Sequence, residues 1–80
     1  MATWLITGAG RGIGLEMARQ LRARGDAVIG TVRDEAKAGA LRELGARVEI
    51  VDVSDPEAIE RLGSSVRDPI DVLVNNAGVG

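Results

Sequence analysis

Thr7-Gly8-Ala9-Gly10-Arg11-Gly12-Ile13-Gly14 is the stretch on which the fold turns. Its glycines fall at every second position, between an apolar run, Thr3 to Ile6, and an amphipathic run, Ile13 to Arg24. Without Cβ atoms the backbone can turn tightly and approach a ligand, and free amides at the start of the following helix offer donors and positive potential to phosphate. The segment therefore predicts a loop for a pyrophosphate. An isolated pair of glycines would mean only a tight strand-to-helix turn.

Working outward, short runs of β-branched and aliphatic residues alternate with amphipathic stretches, giving the rhythm βαβαβαβ. Thr3 to Ile6 is nearly unbroken in apolar character, as suits a strand covered on both faces of a parallel sheet. Helical spacing of Ile13, Met17, Ala18 and Leu21 gives the first helix an inner face, and Gly25 terminates it. A second strand is expected over Ala27 to Val32. A second helix is expected from Asp34 to Leu44, with Ala40, Leu41 and Leu44 inside, weakened by Gly39 and ended by Gly45. Val48, Ile50 and Val53 alternate with Glu49 and Asp52 in a third strand near the sheet edge. Ser54, Asp55, Pro56 and Glu57 mark a helix start with a cap, an early proline and a capping-box Glu, and Ile59, Leu62 and Val66 form that helix's buried stripe. Ile70 to Val74 is a fourth strand. Short connections imply right-handed crossovers and a doubly wound α/β sheet of order 3-2-1-4. Ligands bind such sheets at the carboxyl ends of the strands, where the order reverses between strands 1 and 4. The glycine segment and Asn75-Asn76-Ala77-Gly78 both fall there.

The 80 residues carry a net charge of -2 and 45% hydrophobic content, enough for one domain with a thin core and no general attraction to nucleic acid or anionic membrane. Cys is absent, which excludes disulfides, thiolate metal sites and cysteine nucleophiles. His and Tyr are absent too, and Lys37 is the one lysine. No apolar run reaches membrane-span length and no secretory leader opens the chain, so it reads as cytoplasmic.

Three nucleotide loops compete. A P-loop needs Gly-Lys followed by Ser or Thr, but Ile13 follows Gly12, which argues against ATP hydrolysis. The spacing Gly8, Gly10, Gly12 is similar to the glycine motif of methyltransferases that bind S-adenosylmethionine, although Thr7 stands where those usually carry an acid. The dinucleotide pattern G-x-G-x-x-G fails, because its sixth position is Ile13. Thr-Gly-x-x-x-Gly-x-Gly is met at Thr7, Gly8, Gly12 and Gly14, and it resembles the short-chain dehydrogenase/reductase family. Asn75-Asn76-Ala77-Gly78 looks like that family's Asn-Asn-Ala-Gly signature, and Asp52-Val53 is similar to its adenine-contact pair. The resemblance covers the whole chain but only the opening part of that family's domain.

What the resemblance implies is a three-layer Rossmann fold, a nicotinamide dinucleotide cofactor, and hydride transfer to or from a small carbonyl or alcohol substrate. Gly8, Gly12 and Gly14, with Gly10 and Ile13 in the same loop, would accommodate the phosphates and adenosine ribose. Asp52 and the Val53 amide would meet adenine, and Asn76, with Ala77 and Gly78, would lie by the cofactor ribose. Asn75 would tie strand 4 to its neighbours. Asp52 has a second reading, as a cap for the helix near Ser54. The family position for an NAD-selecting carboxylate is taken by Val32, with Arg33 next and Arg11 in the loop, so NADP is favoured over NAD. Asp34 and Glu35 argue the other way, as possible ribose ligands.

The family's acid/base unit, a Tyr with Lys four positions later and a supporting Ser, lies downstream of the Asn-Asn-Ala-Gly strand. With no Tyr here, no catalytic residue is assigned and the chain alone is expected to be inactive: a fragment, a truncated product or a minimal half-domain. Ile70, Val72, Leu73 and Val74 then form an apolar edge that invites self-association. Besides the methyltransferase-like alternative, a binding-only module and a structural half-domain that binds no nucleotide remain open.

Overall fold

A computed structural model describes residues 1–52, 54–67 and 69–76. It contains β1 (Thr3–Thr7), α1 (Gly12–Ala23), β2 (Ala27–Val32), a single 3-10 turn (Glu35–Lys37), α2 (Gly39–Glu43), β3 (Arg47–Ile50), α3 (Pro56–Ser65) and β4 (Val72–Asn75). The strands form one parallel sheet in the expected order β3-β2-β1-β4. Pairing of Ile6 with Gly30, Thr7 with Asn75 and Val32 with Ile50 aligns the carboxyl ends. The segments leaving β1, β2, β3 and β4 therefore meet at one edge.

Alternation along the strands separates two apolar layers. Trp4, Ile6, Val28, Val32, Val48 and Val74 face α1 and α2, where they pack with Ala18, Leu21, Ala38 and Leu41. Leu5 faces the other way and packs with Val51, Ala58 and Leu62 beneath α3. The three-layer α/β architecture read from the sequence is present.

Several elements differ in detail. The second helix does not run from Asp34 to Leu44: a 3-10 turn comes first and the α-helix is the short Gly39–Glu43. Glycine at 39 has the greatest backbone entropy to lose, and the fully buried Ala38 anchors the junction between the two pieces. Ala38 and Leu41 form the inner face, while Ala40 is exposed. In α1 the inner face starts at the buried Gly14, and Ile13 is 69% exposed because the first turn projects past the strand ends. Strand β3 is shorter than expected; Val51 is buried beneath α3, whereas Ile50 on the opposite side of this edge strand is 47% exposed. Val53 lies outside the described residues. Asp55 caps α3 by accepting from the Glu57 amide at 3.0 Å, ahead of Pro56. The Ser54–Glu57 capping box is not formed, since the Ser54 hydroxyl donates to Asp52 instead. Ala58 and Leu62 carry the buried stripe, with Val66 half-buried and Ile59 42% exposed. Strand β1 extends one residue further, to Thr7, and β4 starts at Val72 because Asp71 is engaged with Thr3: its amide donates to the Thr3 carbonyl and its carboxylate accepts from the Thr3 amide.

At the amino-terminal edge, remote from the glycine segment, the buried Asp26 accepts from the Ala2 amide at 3.1 Å, from Trp4 Nε1 at 3.1 Å and from Arg24 at 2.8 Å. The Ala2 amide, then Trp4 and the Arg24 charge, hold its carboxyl below the ordinary 3.8 against the opposing effect of burial. A depressed native value means that this stabilisation is complete above the unfolded-state pKa and fades as pH falls through the native one. Asp26→Asn is accordingly expected to lower the urea midpoint at pH 7, and the gap from the unmodified chain to narrow as the pH is taken below 3.8. Urea titrations at several pH values check this; a gap constant with pH contradicts it.

Candidate functional site

The loop between β1 and α1 is built by neighbouring strands as much as by its own residues. Gly8 and Gly12 have φ of 65° and 59°, the left-handed region where a side chain is strained. The Gly8 amide donates to Thr31 Oγ1 on β2 at 3.1 Å, and its carbonyl accepts from Asn76 Nδ2 beyond β4 at 3.0 Å. The next amide, Ala9, donates to the Thr31 carbonyl at 2.9 Å. Thr7 Oγ1 accepts from the Asn76 amide at 3.0 Å and faces Asn75 Oδ1 at 3.2 Å and the Val74 carbonyl at 3.4 Å, either of which can take its hydrogen. Two flanking strands thus fix the two peptides that meet at Gly8.

The glycines divide by role. A Cβ on Gly14 would stand 2.6 Å from the Gly8 carbonyl and from Asn76 Nδ2, so Gly14 lets α1 close on the end of β1. A Cβ on Gly10 would meet Val32 Cγ1 at 2.9 Å and the Lys37 carbonyl at 3.1 Å, so Gly10 admits the 3-10 turn. A Cβ on Gly12 would meet nothing within 4 Å; its glycine answers to backbone conformation and leaves open space in front of the helix.

Main-chain donors divide similarly. Gly8 and Ala9 have internal acceptors. The amides of Gly12, Ile13 and Gly14 in the first turn of α1 have no intrahelical acceptor by geometry and none elsewhere among the described residues. Arg11 at the N-cap makes no side-chain cap, and no acidic residue stands in the first turn. Helix α3 differs: Asp55 caps it and Glu57 lies in its first turn. The uncapped α1 terminus points its partial positive charge at the carboxyl edge of the sheet, a setting that suits an anion.

Beside the loop, the ends of β2 and β3 lie together, since the Val51 amide donates to the Val32 carbonyl at 2.8 Å. Arg33 and Asp52 follow at these ends, both exposed. Asp52 Oδ1 accepts from the Ser54 hydroxyl at 2.7 Å and the Ser54 amide at 3.0 Å. These two bonds, and after them the Arg33 charge, hold its carboxyl below the ordinary aspartate value. Asp52 therefore closes a local turn, and the capping of α3 belongs to Asp55. Glu35 is engaged by Arg42, which depresses its carboxyl. Asp34 makes no side-chain cap and is exposed, as is Arg11.

Gly8, Gly10, Arg11, Gly12, Ile13, Gly14, Arg33, Asp52 and Asn76 are thus collected at one edge of the sheet, while Val53, Ala77 and Gly78 lie outside the described residues. Asn76 is held against Thr7 and Gly8. Thr31 was not singled out by the motif reading; its signal was a hydroxyl inside the otherwise apolar run Ala27 to Val32. Among the described residues no cluster of His, Cys, Asp or Glu could hold a metal, and no helix is long and apolar enough to cross a membrane.

A glycine-rich β1–α1 turn with an uncapped helix terminus at the switch point of a 3-2-1-4 sheet defines a Rossmann-type nucleotide-binding fold. Comparison with known sequences places it more narrowly: the short chain dehydrogenase family profile matches residues 2–80, and the chain belongs to that family. It is 44% identical over 94% of its length to the 3-oxoacyl-acyl-carrier-protein reductase FabG of Escherichia coli (strain K12), of which it spans 33%. It is 40% identical over 95% of its length to (+)-neomenthol dehydrogenase of Arabidopsis thaliana, of which it spans 30%. Among solved structures, a short chain dehydrogenase/reductase family protein superposes with a TM-score of 0.88 at 40% identity, covering 98% of this chain and 34% of that one. An actinorhodin polyketide ketoreductase variant solved with NADPH gives 0.80 at 40% identity, covering 94% and 32%. The chain thus spans about a third of the relatives it matches. Nothing in these likenesses supports the methyltransferase alternative.

The division among the glycines is open to test. Gly14→Ala forces the Gly8 carbonyl and α1 apart and is expected to cost about 1–3 kcal/mol, with loss of the Asn76 contact. Gly12→Ala meets no neighbour and is expected to cost about 1–2 kcal/mol from backbone strain alone. Urea unfolding gives both stabilities, and the Asn76 side-chain amide resonances should move in the first variant only.

Proposed function

We propose that this chain forms the cofactor-holding part of an NADP-dependent oxidoreductase that transfers hydride between the nicotinamide and a small carbonyl or alcohol substrate. The observation that carries this reading is the contrast between the two helix termini: α3 is filled by its own Asp55, whereas α1 offers the amides of Gly12, Ile13 and Gly14, unpartnered among the described residues, over open space at Gly12. A diphosphate fits that chemistry, being a dianion with several acceptor oxygens. The cofactor, when bound, supplies the hydride acceptor or donor. The protein's share is to bind and orient. Gly8, Gly12 and Gly14 set the path of the loop, with Ile13 on its exposed rim. Asp52 retains Oδ2 for the adenine amino group, and the family motif assigns the Val53 amide to the ring. Asn76 is assigned to the cofactor ribose, and Ala77 and Gly78 join it by their place in the motif. No catalytic residue is assigned within the chain, which contains no Tyr.

NADP is favoured over NAD because Arg33 and Arg11 are exposed at the two segments nearest the adenosine end, and because Glu35, one of two acids that could select a ribose hydroxyl, is paired with Arg42. The likeness to a ketoreductase solved with NADPH agrees. Arg33→Ala is expected to weaken NADPH binding by about 1.5–3 kcal/mol, the range for a charge-assisted hydrogen bond, and to leave NADH binding nearly unchanged. Calorimetric titration of both cofactors decides it: equal losses remove Arg33 from the phosphate site, and binding of neither by the unmodified chain removes the reading.

The reading includes self-association of the 80-residue polypeptide through β4. Among the described residues β4 pairs with β1 alone, and Leu73 is 63% exposed on a strand without a charged side chain. The opposite edge, β3, carries Arg47 and Glu49. Sedimentation at micromolar concentrations is expected to show dimers or larger species; a monomer throughout contradicts this.

A further inference from the structure

We infer that Thr31 is a positioning residue for the diphosphate loop, acting from the neighbouring strand through the two peptides that meet at Gly8; this rests on the dinucleotide reading given above. Thr31 is 1% exposed in the middle layer of the fold, among Ile29, Gly30 and Val32. Its hydroxyl accepts the Gly8 amide and its carbonyl accepts the Ala9 amide, so one residue of β2 satisfies both donors by which the loop leaves β1. Gly8 sits at φ 65°, outside the conformations a strand continues into. A residue in that region has no regular ladder to hold it, and the side-chain acceptor supplies what the ladder does not.

The consequence for the ligand follows from the geometry of the turn. Gly14 packs against the Gly8 carbonyl so closely that a single Cβ would not fit. Any rotation of the Gly8–Ala9 peptide is therefore transmitted to the first turn of α1, where the amides of Gly12, Ile13 and Gly14 are presented. Asn76 holds that peptide by the Gly8 carbonyl and the Thr31 carbonyl holds it by the Ala9 amide, while Thr31 Oγ1 holds the preceding Thr7–Gly8 peptide by the Gly8 amide. Loss of Thr31 Oγ1 leaves the half-buried Gly8 N–H without an acceptor; the Thr7–Gly8 peptide turns to find one, and the Gly8–Ala9 peptide turns with it through their shared Cα. Arg33 and Asp52 follow β2 and β3, whose pairing with each other does not involve Gly8. The effect should therefore fall on ligands that carry a diphosphate bridge and spare those that carry only the adenosine half.

The test compares NADPH with adenosine 2′-monophosphate, which has the 2′-phosphate but no 5′-phosphate or diphosphate bridge, on the 80-residue chain and on Thr31→Val and Thr31→Ser. One lost hydrogen bond to a half-buried amide corresponds to roughly five- to thirtyfold in NADPH affinity for Thr31→Val. Adenosine 2′-monophosphate affinity should stay within about twofold, and Thr31→Ser, which keeps the acceptor, should restore NADPH binding. Unchanged NADPH binding by Thr31→Val, or equal losses for both ligands, overturns the positioning role. If the unmodified chain binds adenosine 2′-monophosphate and NADPH normally while its Gly8 amide exchanges with solvent as fast as those of Gly12 and Ile13, the role is overturned even if Thr31→Val fails to fold. Binding of neither ligand by the unmodified chain overturns the dinucleotide reading, and the role of Thr31 with it.

Discussion

The backbone of a single residue, Gly8, is where the sheet and the loop become one structure. Its amide is bonded to β2 and its carbonyl to the segment after β4. Both partners are available only because β1 lies between β2 and β4, the arrangement that makes this edge the switch point of the sheet. Strand order is thus more than a topological label here. Exchange β4 for a strand elsewhere, and the Gly8 carbonyl loses Asn76; pair β1 on one side only, and the loop hangs from a single strand. The left-handed φ of Gly8 follows from the same demand, since the chain must leave β1 sharply enough to bring α1 back over the sheet.

That arrangement explains why glycines at every second position do unlike things. Two of them, Gly10 and Gly14, are small because other backbone comes close: the Lys37 carbonyl in one case and the Gly8 carbonyl in the other. Gly12 is glycine for its φ and has room beside it. A loop of this length closed by packing alone could have used a Ser or Asp at the N-cap of α1, as α3 uses Asp55. Arg11 stands there instead and leaves the first-turn amides unpartnered among the described residues. Omitting a cap gives up about 1 kcal/mol of helix stability, a loss that a bound anion can recover.

Strand order, layering and the glycine loop were legible in the sequence because each rests on a local signal: the apolar run Thr3 to Ile6, the alternation of strand and helix patterns, and glycine spacing. What the sequence obscured depends on contacts made across the fold. Ala40 and Ala38 are equivalent by composition, and only the position of the 3-10 turn decides that Ala38 is buried and Ala40 exposed. Ile13 has the right spacing for a core residue but belongs to a turn that overhangs the sheet. Ser54, Asp55 and Asp52 all had the chemistry of a cap; the Ser54 hydroxyl went to Asp52, leaving Asp55 to α3. Thr31 escaped notice because no periodicity separates a hydroxyl that reaches a neighbouring loop from one that merely tolerates a strand.

The two ends of the sheet answer to different requirements. At the amino end, Asp26 gathers Ala2, Trp4 and Arg24 around a buried carboxylate, every bond internal, as a group removed from water must be. At the carboxyl end, the loop keeps three donors unmatched among the described residues and places exposed arginines beside them. Such an end is less stable than it could be, and only tolerable because the strands beneath it are anchored elsewhere. The clamp on Gly8 lies at the boundary between these regimes. Among the described residues Gly8, bonded through both its amide and its carbonyl, is the last so held before the open first-turn amides, so whatever rigidity the binding edge has is conveyed through it from the interior of the sheet.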